Sequence, residues 1–392
     1  LRLRGLRLLI ALVLLPSLLA ACARPGAAPM YPRFEATVPG ATDTTILIAT
    51  TRQRSADPAV MFSGERARAI DFAQAVVSIP PTHVSGRVEF PAQPPGNPET
   101  DFVTRSASFI DSEQQFVADL NRQLEKRPPG KRSVLLFVHG FNTKFPEGLY
   151  RLAQVAHDSG APAVPVLFSW ASRGELTGYV YDQNSATAAR DALERLILLL
   201  ADSKAETINV LAHSMGNWVT VEAFRDLRIG GAFAGKRHKL GAVILAAPDI
   251  DVDVFRSQMA RIGKPEKPFM IVLSREDRAL ALSSFIAGAG ESSRLGDYRN
   301  AADLTQYNAV VVDLSEVKSG DPLNHDTFAE LAKIAPQLRA VLENGVESKS
   351  ATPVESVTTS PLNDAPDVVK TVLSLPIAVV SAPIIILSRQ MN

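Results

Sequence analysis

Ile208-Asn209-Val210-Leu211-Ala212-His213-Ser214-Met215-Gly216-Asn217-Trp218 is a short apolar run, then a serine among small residues, then the start of a helical pattern. That order describes a nucleophile elbow, a tight strand-to-helix turn that lifts a serine hydroxyl above a parallel sheet. The turn strains the serine backbone, so the residues two away on either side must be small. Ala212 stands where the G-x-S-x-G pattern has its first glycine, and Gly216 is the second. The same turn aims the Met215 N–H at the point where an oxyanion forms. Five residues are a short pattern, and a serine that N-caps a helix beginning at Met215 satisfies it too. The surrounding chain decides between the two readings.

Around this stretch, buried-type strands alternate with helices. Residues 133–138, 163–169, 207–211, 240–246, 269–273 and 309–314 read as strands. Residues 145–158, 184–201, 215–227, 252–261 and 327–342 read as helices, and 279–287 as a further helical stretch. Continuous apolar strands separated by helices imply an α/β fold, a mostly parallel sheet covered by helices on both faces. Upstream, residues 45–51, 76–79 and 87–90 read as early strands forming an antiparallel edge. Phe116, Leu120 and Leu124 place a helix over 111–126, stopped by Pro128-Pro129-Gly130. No internal repeat is visible, and one domain over 41–343 is the simplest division.

In such sheets the site lies at the carboxyl ends of the strands. Three strand ends supply what serine chemistry needs. Ser214 follows one, Asp277 follows the strand at 269–273, and His325 follows the last strand. Ser, then Asp, then His is the chain order used on α/β-hydrolase sheets. A serine hydroxyl needs an imidazole to take its proton, and the imidazole needs a carboxylate to fix its tautomer. Of six histidines, only His325 follows the final strand; its other reading is a loop residue beside the N-cap candidate Asp326. Glu276, or Asp249 and Asp251 one strand earlier, remain alternatives for the acid. Val138-His139-Gly140-Phe141-Asn142 ends another strand, and we assign the Phe141 N–H as the second oxyanion donor beside Met215. Trp170, Tyr179 and Tyr181 follow a further strand end and either line an acyl pocket or pack a cap.

The chain of 392 residues is 46% hydrophobic, enough to exclude global disorder. Its formal charge of zero gives no reason to expect nucleic acid. The one cysteine, Cys22, closes a leader-like start. Arg2, Arg4 and Arg7 precede an apolar run that ends in Leu19-Ala20-Ala21-Cys22. This is the layout of a signal peptide over 1–21, and its ending resembles a bacterial lipobox. That resemblance implies cleavage before Cys22 and lipidation there. Ala23 after it implies an outer-membrane lipoprotein facing the periplasm. Loss of the leader would remove three of 41 basic residues and none of 41 acidic ones, leaving three net negative charges. Residues 22–40 read as a tether and 344–366 as a linker. Within 367–392 lies an apolar run broken by Pro376 and Pro383. It either touches the membrane or packs on the domain as an extended segment.

The chain resembles the bacterial DUF900 group of the α/β-hydrolase superfamily, which is esterase/lipase-like. Several pieces carry the resemblance: Ile48-Ala49-Thr50-Thr51-Arg52, Ile79-Pro80-Pro81-Thr82-His83, Phe137 to Asn142, Phe168-Ser169-Trp170, Gly178-Tyr179-Val180-Tyr181-Asp182, Ala212 to Gly216, Ala247-Pro248-Asp249-Ile250-Asp251, and Ser274 to Leu280. Members often have Trp-Pro where this chain has Trp170-Ala171. The resemblance implies that Ser214, Asp277 and His325 form the triad of a serine hydrolase acting on a small-molecule or lipid ester. It implies no cofactor and no metal. A hydrolase-fold lipoprotein that binds a lipid or protein partner without turnover, or an amidase using the same triad, are the other readings.

Overall fold

The structure, a computed structural model, describes residues 30, 38–57, 59–274, 277, 279–280, 283–284, 294–298, 301–315 and 384–386. His325, Glu276 and Cys22, the leader, the linker and the helix expected over 327–342 lie outside the described residues. So does most of the stretch at 279–287, in which 279–280 and 283–284 are helical.

Ten strands form one sheet in the order β10-β9-β8-β7-β6-β4-β5-β1-β2-β3. They are β1 (Thr42–Arg54), β2 (Phe62–Ile79), β3 (Val103–Ile110), β4 (Ser133–Val138), β5 (Val164–Ser169), β6 (Thr207–His213), β7 (Leu240–Ala246), β8 (Phe269–Leu273), β9 (Ala309–Asp313) and β10 (Ile384–Ile386). Every pair from β1 to β10 across the middle of the sheet is parallel; only β1–β2 and β2–β3 are antiparallel. The antiparallel edge is therefore present but built differently from the sequence expectation. Residues 76–79 are only the end of an 18-residue β2. Residues 87–90 are loop, and the third strand is β3. Charged residues along the exposed half of β2, such as Glu65, Arg66 and Arg68, mask its strand pattern.

The helices are α1 (Glu113–Glu125), α2 (Phe145–Ser159), α3 (Tyr179–Asp202), α4 (Gly216–Gly230) and α5 (Val252–Ile262). Their starts are legible chemically. Ser112 accepts from the Gln115 N–H at α1, and Asp251 accepts from Asp253 and Val254 at α5. Alternation along β4 divides the core. Val134, Leu136 and Val138 face α1, α3, α4 and α5, while Leu135 and Phe137 face α2. The described part of the apolar C-terminal run, Ile384–Ile386, pairs with β9 as an extended edge strand. No helix among the described residues is long and apolar enough to cross a membrane.

The sheet order locates the site. From β4 the chain moves outward to β5 on one side, then returns to β6 on the other. This is a topological switch point, and a crevice opens there beyond the carboxyl ends of β4 and β6.

At the opposite edge, Gly241 at the start of β7 faces Asn209 of β6. A Cβ there would stand 2.2 Å from Asn209 Oδ1, which accepts the Ala242 N–H at 2.9 Å. Gly241→Ala should lower stability by about 1–3 kcal/mol in urea unfolding, through the β6–β7 contact.

Candidate functional site

Ser214 has φ +52°, the left-handed strain expected of an elbow, and is buried at the switch point. The turn is pinned to β7. Ser214 N donates to Ala246 O at 3.0 Å, and the Asn217 side-chain amide donates to both Ser214 O and Ala246 O at 2.9 Å. Gly216 has no room for a side chain: a Cβ would lie 2.4 Å from His139 O and 2.6 Å from Val138 O. A Cβ on Gly140 would meet the Ser214 Cβ at 2.7 Å. Ala212 differs because it is an ordinary strand residue paired with Val138 and Leu245, where a methyl fits.

The segment after β4 is held from every side. Arg52, at the end of β1, is fully buried and uses all five of its N–H donors. Nε donates to Ser169 Oγ, one terminal nitrogen to Ser63 O and Ser172 O, and the other to Thr143 O, lying 3.4 Å from His139 Nε2. Burial lowers its pKa to about 10, against the opposing pull of Asp182, so it stays cationic. Asp182 in turn accepts from Ser172 Oγ and from the Asn142 and Arg173 N–H groups. Burial raises its pKa, and these bonds oppose the rise. Trp170 stacks on His139 and donates its indole N–H to His139 O at 2.8 Å. Among the described residues, nothing accepts from the N–H of Phe141 or Met215.

His139 is a framework residue. Arg52 can only donate, so Nε2 is the acceptor and Nδ1–H donates to Gly140 O at 2.9 Å. Burial, then the Arg52 charge, depress its pKa to about 3.

The candidate acids differ sharply. Asp277 is buried after β8, and its Oδ1 accepts from the Ala279 and Leu280 N–H groups at 3.0 Å. Asp249 has both oxygens committed: Oδ1 to Ser283 Oγ at 2.5 Å, Oδ2 to Tyr179 OH at 3.1 Å. Buried Arg294 adds an ion pair, its Nε 3.2 Å from Oδ1 but not aligned for a hydrogen bond. Asp251 caps α5. Burial and the Asp249 charge push the Tyr179 phenol up to about 12, so it acts only as a protonated donor. Tyr179 also packs edge-on to Phe141, with ring centroids 5.2 Å apart. Tyr181 lies under Arg66 and Arg173. None of the three aromatics is a bare pocket wall: Trp170 and Tyr179 are framework, and Tyr181 packs the outer rim.

Sequence reasoning missed the framework roles of Arg52, Asp182 and Arg294. The first two end motif pieces quoted above, but nothing in a linear sequence says that they converge.

A mostly parallel sheet with this strand order and a strained serine at its switch point define an α/β-hydrolase fold. The family model "Alpha/beta hydrolase of unknown function (DUF900)" matches residues 112–342, more than half of the chain. The protein belongs to the DUF900 family of α/β hydrolases. No curated protein matches the chain. Among solved structures it is similar to an esterase of Pyrobaculum calidifontis, at 12% identity and a TM-score of 0.31, over 78% of this chain and 86% of that one.

A histidine whose folded pKa is depressed contributes stability that is present above its unfolded pKa, about 6.5, and lost as pH falls toward the folded value. Urea unfolding at pH 7.5 and 5 should therefore show weaker folding in acid. His139→Gln, which keeps a donor and an acceptor without titrating, should flatten that slope.

Proposed function

We propose that the protein is a serine hydrolase that cleaves carboxylic esters through an acyl-enzyme, with Ser214 as nucleophile, His325 as base and Asp277 as the carboxylate that orients it. The observation that carries this reading is the left-handed Ser214 at the switch point, beside two N–H groups, of Phe141 and Met215, with no partner among the described residues. Ser214 Oγ attacks the ester carbonyl carbon as its proton passes to His325. The negative oxygen is received by the Phe141 and Met215 N–H groups, and losing one such donor typically costs about 3–4 kcal/mol. Collapse expels the alcohol, which takes the proton from His325. Water then attacks the acyl-enzyme by the same route and frees the carboxylate.

Asp277 is favoured over Asp249 because Asp249 is already engaged by Tyr179 and Ser283 and its charge is paired with Arg294. Asp277 Oδ1 accepts from the neutral Ala279 and Leu280 N–H groups, which fix the plane of the carboxyl group. We further propose that the chain is anchored in the bacterial cell envelope through lipidated Cys22.

A fluorophosphonate probe should label the wild type and leave Ser214→Ala and His325→Ala unlabelled; equal labelling of all three would remove the catalytic assignment. On p-nitrophenyl esters, Asp277→Asn should cut kcat by about 10⁴-fold, far more than Asp249→Asn. The reverse ranking would move the acid upstream. Cys22→Ser should abolish lipid incorporation in a bacterial host, and continued acylation would refute the anchor.

A further inference from the structure

The β2–β3 connection crosses the last turn of α2, and three nitrogen and oxygen donors converge there. His83 Nε2 lies 2.9 Å from Asp158 Oδ1, and His157 Nδ1 lies 3.2 Å from the same oxygen. All three donor atoms fall within 4.8 Å of one another. Ligands bound tetrahedrally to zinc at about 2.0–2.1 Å stand about 3.3 Å apart, close to the two measured separations.

Each donor is oriented by a further partner. Glu89 Oε2 sits 2.7 Å from His83 Nδ1, so Nδ1 carries a proton toward Glu89 and Nε2 is directed at Asp158. Glu89 is itself fixed by the Val84 N–H on its other oxygen. Asp158 Oδ2 accepts from the Gly86 N–H at 2.8 Å and the Gln154 amide at 2.7 Å, which turns Oδ1 toward both imidazoles. A carboxylate behind a ligating histidine and hydrogen bonds behind a ligating carboxylate are the outer shell that metal sites use. The His83 and Asp158 side chains are 5% and 1% exposed, while His157 is 34% exposed. The site is thus closed on its protein side and open at one side to an entering ion and a water.

We propose that His83, His157 and Asp158 bind a divalent transition-metal ion, with zinc as the best match. Two imidazoles and one carboxylate favour zinc over magnesium or calcium, which prefer all-oxygen ligand sets. The ion replaces the proton that His83 Nε2 would otherwise present to Asp158 Oδ1. Its place in the fold makes it a clamp and not a reagent. Helix α2 leaves the carboxyl end of β4 and its last turn leads into β5, so the cluster lies at the sheet edge opposite Ser214. Zinc there ties the β2–β3 connection to α2.

The full chain, stripped with a chelator and given zinc, should retain one zinc per chain after desalting and gain about 5 °C in Tm at saturation. His157→Ala leaves the His83–Asp158 pair in place and should fold, yet retain zinc at least tenfold less. Ser214→Ala should bind zinc as the wild type does, which separates this test from that of the hydrolase reading. No zinc retained by the wild type, or equal retention by wild type and His157→Ala, overturns the proposal and leaves a hydrogen-bonded ion cluster.

Discussion

The crossing of α4 over the end of β4 has no spare space, and the site depends on that. Gly216 lies so close to the carbonyls of Val138 and His139 that a single methyl would overlap both. The same close approach holds the segment after β4 against the serine turn, where a Cβ on Gly140 would meet the Ser214 Cβ at 2.7 Å. It also forces the chain to turn within one residue, which is why Ser214 takes φ +52°. A non-glycine residue in that region is costly and persists only where the surroundings over-determine it. Here the surroundings are the strand on the far side: Ala246 receives both the Ser214 N–H and the Asn217 amide. The strain at the serine is thus held by β4 pressing from one side and β7 gripping from the other.

Buried charge does the same work one layer out. Arg52 and Asp182 are both enclosed, and an isolated buried charge would be strongly unfavourable. They do not touch; Ser172 stands between them, offering its carbonyl to Arg52 and its hydroxyl to Asp182. Together they fix Asn142 and Thr143, the residues immediately after Phe141. On the other flank, Asp249, paired with Arg294, accepts from the Tyr179 hydroxyl, and the Tyr179 ring packs edge-on to Phe141. Replacing one member of either set would leave a partner uncompensated in low dielectric, a larger loss than the set contributes as a whole. Such networks set geometry more than they add stability. That suits a segment packed directly against the serine turn.

Parts of this were legible from the residues alone. The parallel strands were, because burial on both faces writes itself as an unbroken apolar run, as in Ser133–Val138 and Phe269–Leu273. The elbow was, because glycine at 216 is a direct consequence of the turn's close approach to β4. Strand β2 was not, because half of its length faces solvent and carries charge, and β3 alternates too weakly to stand out. The start of α3 at Tyr179 was missed because its first turn holds two tyrosines and a valine, poor helix formers held there by packing and hydrogen bonds. Arg52 was quoted as the end of a motif without a role, since its five acceptors come from three separate segments of chain.

The contrast between Asp249 and Asp277 shows why sequence position could not separate them. Both follow parallel strands, both are buried, and their strands are neighbours. What differs is the supply of donors around each carboxylate. Asp249 is surrounded by a phenol, a hydroxyl and a guanidinium, so its charge is spent on structure. Asp277 Oδ1 meets the Ala279 and Leu280 N–H groups, as the oxygen of a helix-capping aspartate does. Capping fixes the direction of the carboxyl plane with neutral donors. Half-buried Asp297 is raised in pKa by burial and then by the charge on Asp277. On the proposed reading the orienting carboxylate holds one imidazole in one tautomer, and a plane fixed by neutral backbone donors suits that role better than a charge already compensated by a guanidinium.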